Sequence, residues 1–127
     1  MADTYYKDKY TQIMQVPAPD DLVNGWYTCA PVEVAGECAL KRGTLLMGSG
    51  KAFSAATSEG LASADEAAIL CADAEVPAGQ KAVREAYFSG EFLGSRVILP
   101  WETEEDDHGE LIDGIRAALR KHNLMVR

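Results

Sequence analysis

The segment from Ala82 to Trp101, AVREAYFSGEFLGSRVILPW, constrains the fold of this chain most strongly. It contains the densest run of β-branched and aromatic residues in the sequence, a composition that favours strands. Ser89-Gly90 and Gly94-Ser95 interrupt the run with small residues that are typical of turns. The pattern therefore predicts β-structure in the core, with turns at these two pairs.

A helical periodicity follows the acidic stretch from Glu102 to Asp107. Apolar residues recur at helical spacing from Leu111 to Leu119, and charged residues occupy the opposite face. This stripe predicts an amphipathic helix, in which Gly114 indicates a point of close packing. We expect Asn123 to end the helix in the left-handed conformation and residues 124–126 to form a short closing strand.

The first 28 residues show no regular periodicity and predict an N-terminal arm, with a single domain from residue 29 to residue 127. A frayed terminus is the simplest interpretation of such a segment. Tyrosines, however, supply a large contact area at low entropic cost, so we expect an arm that stays flexible until it binds a partner. The predicted contact residues of the arm are Tyr5, Tyr6, Tyr10, Ile13 and Val16.

Short apolar runs alternate with turn residues between the arm and the central segment. Gly48-Ser49-Gly50-Lys51 predicts a hairpin turn, because Leu45 and Ala52 stand where a phosphate-binding loop needs Gly and Ser or Thr. Residues 55–64 are small and polar and predict a surface loop. The apolar run from residue 67 to residue 72 predicts a strand.

Composition and charge narrow the classes of function. The formal net charge of -8 disfavours direct binding to nucleic acid or to an anionic membrane, because both would repel the chain. No apolar run approaches the length of a membrane span, and the first residues do not resemble a signal peptide. These features predict a cytosolic protein without a membrane partner.

The titratable and nucleophilic residues do not predict a catalytic or metal site. His108 and His122 fall at opposite ends of the expected helix, and no nucleophile is paired with a base. Three cysteines at wide spacing predict reduced, mostly buried thiols, and a disulfide between Cys29 and Cys38 stays open as an alternative. We therefore predict no enzyme, no cofactor and no metal.

The large apolar residues outside the arm are predicted to pack in the core or in contacts between subunits. Trp26 is expected either against the core or at a subunit interface. The full set is Trp26, Tyr87, Phe88, Phe92, Trp101, Leu111, Ile115 and Leu119.

Residues 44–126 resemble the phage head decoration proteins of the bacteriophage lambda type. The similarity consists of the strand TLLM, the sequence Lys51-Ala52-Phe53, the run AAILCADAE, the YFSGEF motif from Tyr87 to Phe92, and the L-P-W sequence before the helix. YFSGEF is similar to the aromatic, Ser or Thr, Gly, any residue, Phe pattern of the family. In the family the Trp precedes the Pro, so contacts within a trimer are not transferred residue by residue.

The resemblance implies a mainly β fold with α-helix, a β-clip-like bent ribbon with a C-terminal amphipathic helix and a closing strand. It implies a homotrimer that binds the major capsid protein at threefold sites of the expanded head and stabilises the head against internal DNA pressure. The arm would add a strand to the capsid protein. The protein would lie on the outer surface of the virion, and in the host cytoplasm before assembly.

Two other classes of function remain open at this point. The net charge of -8 is compatible with an acidic interaction protein that mimics DNA and inhibits a nucleic-acid enzyme. A small enzyme of the β-clip fold is the second alternative, although sharing a fold is only an analogy.

Overall fold

The computed structural model describes residues 12–15, 22–36, 38–49 and 52–127. Within these residues the chain is mainly β with a smaller α-helical part, as the sequence predicts. The strands are β1 (Gln12–Gln15), β2 (Val23–Ala35), β3 (Cys38–Leu40), β4 (Leu45–Ser49), β5 (Ala52–Ala55), β6 (Glu66–Leu70), β7 (Ala74–Val76), β8 (Lys81–Phe92) and β9 (Leu124–Val126). The helices are α1 (Ser58–Ser63), α2 (His108–Lys121) and a 3₁₀ helix at Gly94–Arg96.

Five strands of the main sheet close into a ring. β2 pairs in parallel with β5, and the ring continues through antiparallel pairs from β5 to β4, β6, β8 and back to β2. β1 extends the sheet from β2, and β9 extends it from β8. β3 and β7 form a separate two-stranded sheet. Closure gives the five ring strands an inner face and an outer face.

The alternation of side chains along the strands divides the hydrophobic core into two clusters. Leu46 and Leu70 belong to one cluster, whereas their neighbours Leu45 and Ile69 belong to the other. All five ring strands contribute to the first cluster, and neither helix does, so we call it the inner cluster. Its buried members are Val32, Val34, Leu40, Leu46, Phe53, Ala68, Leu70, Ala74, Val76 and Ala86.

The second cluster, here the outer cluster, lies between the sheet and the elements that cover it. Leu61 from α1, Ile112 and Leu119 from α2, and Leu124 from β9 pack there against sheet residues such as Phe92. Most of these contacts join parts of the chain that are distant in sequence. The outer cluster therefore depends on the docking of α2 and β9 onto the sheet.

The C-terminal elements confirm most of the sequence prediction. The Asp107 side chain accepts a hydrogen bond from the Glu110 amide at 3.2 Å and caps α2. Asn123 takes the left-handed conformation, with φ of 64°, and β9 follows as the closing strand. The expected close packing at Gly114 is wrong, because a Cβ placed there would meet no atom within 4 Å.

The surface loop predicted for residues 55–64 is also wrong, because α1 forms there. The Thr57 side chain accepts a hydrogen bond from the Gly60 amide at 2.9 Å and caps the helix. Leu61 is buried in the outer cluster and packs this short helix against the sheet. One large apolar residue in a short helix leaves no helical periodicity for the sequence to display.

The central segment matches its prediction in part. β8 runs without interruption through Ser89 and Gly90, so the turn expected there is wrong, whereas the turn at Gly94-Ser95 is confirmed as the 3₁₀ helix. Beyond it, Ile98 makes only an isolated bridge to Thr44 instead of a strand. The Ile98 amide donates to the carbonyl oxygen of Gly43, and its own carbonyl oxygen accepts from the Leu45 amide at the start of β4.

Two further predictions concern chain segments at the edges of the described residues. Ser49 pairs with Ala52, so β4 and β5 form the expected hairpin, although Gly50 and Lys51 themselves lie outside the described residues. The division between arm and domain that was expected after residue 28 falls inside β2, which begins at Val23.

Candidate interaction surface

The N-terminal part of the chain joins the sheet through β1. Residues Gln12 to Gln15 pair antiparallel with Cys29 to Trp26 of β2. β1 stands at the end of the strand order, with β2 as its one neighbour among the described strands. An edge strand presents unpaired backbone N–H and C=O groups that a strand of another chain can bind.

A large bulge in β2 lies beside β1. Val23 pairs with Phe92 and Tyr27 pairs with Gly90, so β2 spans four residues where its partner β8 spans two. Gly90 has a φ of 145°, and a Cβ on it would lie 2.5 Å from the carbonyl oxygen of Trp26. The close approach of the two strands here therefore requires glycine, because any side chain would strike the backbone of β2.

Two neighbouring aromatic side chains of β2 lie on opposite sides, because side chains alternate along a strand. Tyr27 packs against the outer cluster, with its ring centroid 5.1 Å from that of Tyr87 in an edge-on arrangement. Trp26 remains 39% exposed and is one of the most exposed large apolar residues described. The prediction that Trp26 packs in the core of its own chain is wrong, because its side chain stays exposed while the neighbouring Tyr27 packs on the outer cluster. The alternative, a subunit interface, stays a prediction.

Trp26 and the edge of β1 therefore form a candidate interaction surface, which we call the Trp26 surface. It combines an exposed aromatic ring with a strand edge, since Trp26 pairs with Gln15 of β1. Aromatic anchors dominate the energetics of many protein interfaces, and strand edges add directional hydrogen bonds. Both features are common in protein-binding surfaces.

A separate feature is an open groove of about 760 Å³ between the 3₁₀ helix and the start of α2. Leu22, Val97 and Leu99 contribute apolar surface to its wall, and Arg42 and Arg96 contribute cationic groups. Glu102 and Glu104 carry the opposite charge on the same wall. The groove therefore presents both cationic and anionic groups.

His108 connects the elements that surround this groove. Its Nδ1 lies 2.6 Å from Oε1 of Glu102, and its Nε2 lies 2.6 Å from the carbonyl oxygen of Gly94. A carbonyl and an ionised carboxylate only accept hydrogen bonds, so both ring nitrogens donate and the ring is an imidazolium. The protonated ring ties the 3₁₀ helix, the acidic stretch and α2 together.

The pKa of His108 reflects this environment. Burial acts to lower the pKa, but the hydrogen bonds to Glu102 and Gly94, together with the charges of Glu102 and Asp107, outweigh burial and raise it. The sequence alone gave no sign of this interaction, because His108 and its two partners are separated by 6 and 14 positions and their contact depends on the turn at the 3₁₀ helix.

The structure brings most of the predicted packing residues to one cluster. Tyr87, Phe92 and Leu119 are buried in the outer cluster, and Trp101, Leu111 and Ile115 pack partly buried against it. Phe88 instead packs partly buried against the inner cluster. Of the predicted arm residues, Ile13 lies in β1, whereas Tyr5, Tyr6, Tyr10 and Val16 lie outside the described residues.

The described residues contain no group of three or more His, Cys, Asp or Glu side chains arranged to hold a metal ion. Within the same part of the chain, neither α-helix has the length and apolar character that a membrane-spanning helix needs. Comparison with known proteins adds no relative, since no family model matches the sequence and no curated protein matches it significantly.

Proposed function

We propose that this chain is a phage capsid decoration protein. It binds as a homotrimer to the major capsid protein at threefold sites of the expanded head and stabilises the head against internal DNA pressure. The observation that carries the proposal is the Trp26 surface, where β1, a strand within the predicted N-terminal arm, forms an edge beside an exposed tryptophan. An arm held to its domain through such an edge can add further strands from the capsid protein.

The position of the YFSGEF motif supports the proposal. Tyr87 to Phe92 occupy the second half of β8, where β2, β6 and β9 all pair with this strand. Gly90 in the motif permits the close approach of the β2 bulge that presents Trp26. The motif that carries the family resemblance is therefore also the motif that shapes the candidate surface. A β-clip fold, in which the long β2 and β8 form the bent ribbon, is part of this proposal.

The physical properties of the chain suit a cementing role on the outside of the virion. Three linked copies that each bind capsid subunits gain affinity through avidity, and their binding stabilises the bound state of the shell without catalysis. A net charge of -8 keeps the free protein away from nucleic acid and supports solubility in the host cytoplasm before assembly.

Binding to expanded heads made from the major capsid protein of the same genome tests the proposal. We expect the full chain to sediment alone at about 41 kDa, three times its mass of 13.7 kDa, and to co-sediment with the heads. Deleting residues 2–11 removes three tyrosines and keeps β1, whereas deleting residues 2–16 also removes β1. The longer deletion should abolish binding to the heads and leave the trimer intact.

Two point variants separate the Trp26 surface from general surface hydrophobicity. Trp26→Ala should weaken head binding by at least about tenfold, because it removes the exposed aromatic anchor. Val83→Ala is the matched control, since Val83 also lies on the β2–β8 ladder and is 64% exposed, but far from the bulge. Equal affinities for the two variants would contradict the role of Trp26, and failure of the full chain to bind expanded heads would contradict the decoration function.

A further inference from the structure

Asn24 and Gly25 lie in the bulge of β2, immediately before Trp26. The register of β2 with β8 pairs Val23 and then Tyr27, and the register with β1 reaches along β2 only as far as Trp26. Among the described strands, therefore, neither Asn24 nor Gly25 has a pairing partner. Asn24 is also exposed to solvent.

The backbone of the bulge favours glycine after Asn24. Gly25 has a φ of 136°, which lies in the region that side-chain-bearing residues rarely adopt. A Cβ on Gly25 would also lie 2.5 Å from Oε1 of Glu91, so a side chain there would have to displace this carboxylate. The fold thus places the least hindered of all residues directly after an exposed asparagine.

An asparagine followed by glycine loses ammonia without the help of an enzyme, and asparagine is accordingly a thermolabile residue. The backbone nitrogen of the following residue attacks the side-chain Cγ and closes a five-membered imide. The two atoms belong to neighbouring residues, so the reaction needs no distant partner. It does need rotation of the asparagine backbone, and glycine hinders this rotation least because it has no Cβ.

The bulge permits this rotation, whereas regular secondary structure opposes it. In a paired strand or a helix, rotation breaks backbone hydrogen bonds and therefore requires local opening of the structure. At Asn24 and Gly25, rotation breaks no ladder hydrogen bond of the described registers. The exposure of Asn24 gives water access to the imide that forms.

We propose that Asn24 is a deamidation site in the folded chain, where it is converted to a mixture of aspartate and isoaspartate. The Gly25 nitrogen attacks Cγ of Asn24, the bond from Cγ to the amide nitrogen breaks, and this nitrogen leaves as ammonia with the proton of the Gly25 amide. Water then opens the imide. Attack of water at Cγ gives aspartate, and attack at the backbone carbonyl gives isoaspartate, in which the chain continues through Cγ.

The products change the surface next to Trp26. Both add a carboxylate to a chain whose formal net charge is -8. Isoaspartate also lengthens the backbone by one carbon, and so should displace Trp26 from its partner Gln15 in β1. The deamidation does not depend on the capsid role, and its test uses a chemical readout that head binding does not affect.

Incubation of the full wild-type chain at neutral pH and body temperature tests the proposal. We expect the tryptic peptide that contains Asn24 to gain the mass difference between a hydroxyl and an amino group, and a protein isoaspartate methyltransferase to label the same peptide. Asn123 is the other asparagine of the sequence and the internal reference. It is followed by Leu124 and should keep its amide. Asn24→Gln should give no product over the same time, because its imide ring would have six members.

A matched variant separates the effect of the bulge from that of the Asn-Gly sequence. Asp113→Asn places the same pair of residues in α2, because Gly114 follows. Position 113 is exposed like Asn24, but the Gly114 amide belongs to the hydrogen-bond ladder of the helix. In the native variant, Asn24 should react at least about tenfold faster than the introduced amide, which must wait for local opening of α2. In denaturant the two sites should react at similar rates.

Four results would overturn the proposal. The first is an Asn24 that reacts in denaturant and stays intact in the folded chain, and the second is equal native rates at Asn24 and position 113. The third is loss of the Asn123 amide as fast as that of Asn24. The fourth is aspartate formed without isoaspartate, which would mean direct hydrolysis of the side chain without an imide.

Discussion

The inner and outer clusters use the two faces of the same strands, yet they are closed in different ways. Around the inner cluster, five strands form an uninterrupted ring of backbone hydrogen bonds. The outer cluster is covered by α2, which packs on the sheet through side chains, and by β9 and the segment between β8 and α2, which also form backbone hydrogen bonds with the sheet. When a buried side chain of the inner cluster is truncated, the surrounding strands are expected to resist moving into the cavity. In the outer cluster, α2 can shift toward the sheet and partly fill the cavity.

Truncation of one leucine in each cluster should show this difference with the largest effects. Leu46 in the inner cluster and Leu119 in the outer cluster both have 0% exposure. Leu46→Ala should lower the free energy of unfolding by about 4 to 5 kcal/mol, and Leu119→Ala by about 2 to 3 kcal/mol, because α2 can settle onto the sheet. Chemical denaturation measures both values. Equal losses, or a larger loss at Leu119, would show that the two clusters are equally rigid.

Glycine replacements test how tightly the strands and α2 are packed. Gly90→Ala should destabilise the chain by about 2 to 3 kcal/mol, because the Cβ would lie 2.5 Å from the Trp26 carbonyl oxygen and φ is 145°. Gly114→Ala is the matched control on α2, where a Cβ meets nothing within 4 Å. It should stabilise the chain by about 0.5 to 1 kcal/mol. Thermal unfolding shows whether each replacement raises or lowers the stability of the chain. A Gly90→Ala variant as stable as the wild type would contradict the close approach of Gly90 to the Trp26 carbonyl oxygen.

Loss of the His108 hydrogen bonds should have a smaller effect than the leucine truncations and Gly90→Ala, and this effect should depend on pH. Because the pKa of His108 is raised in the folded chain, its contribution is complete below the ordinary histidine pKa and disappears as the pH rises through the folded value. Wild type should exceed His108→Gln in unfolding free energy by about 1 kcal/mol near pH 6 and by little near pH 9, since partial exposure screens the ion pair.

A double-mutant cycle with Glu102→Gln separates the ion pair from other effects of replacing His108. In the Glu102→Gln background, the additional His108→Gln replacement should have a much smaller pH-dependent effect. A wild-type advantage that stays constant from pH 6 to pH 9 would mean that His108 contributes through packing alone.

Predictions that depend on residues close together in the sequence were accurate, whereas features that depend on contacts between distant residues were missed. The helix stripe with Leu119, the left-handed Asn123 and the closing strand were predicted because each depends on residues a few positions apart. α1 and the bulge at Trp26 were missed. α1 depends on one buried residue, Leu61, and the bulge depends on a mismatch in length between β2 and β8.

The candidate surfaces were less predictable than the fold. Tyr27 and Trp26 are adjacent aromatic residues, and nothing in their local sequence indicates which of them faces the core. The contact of His108 with Gly94 joins residues 14 positions apart. The turn at the 3₁₀ helix brings these partners together.

Local sequence accounts for a mainly β domain with a C-terminal amphipathic helix, because strand propensity, helical periodicity and the helix-ending Asn123 act over short distances along the chain. Ring closure by the β2–β5 and β2–β8 pairs depends on contacts between segments that are distant in sequence, and so does the outward position of Trp26. The physical reason is that register and bulges arise from the fit between whole strands, which no single segment specifies.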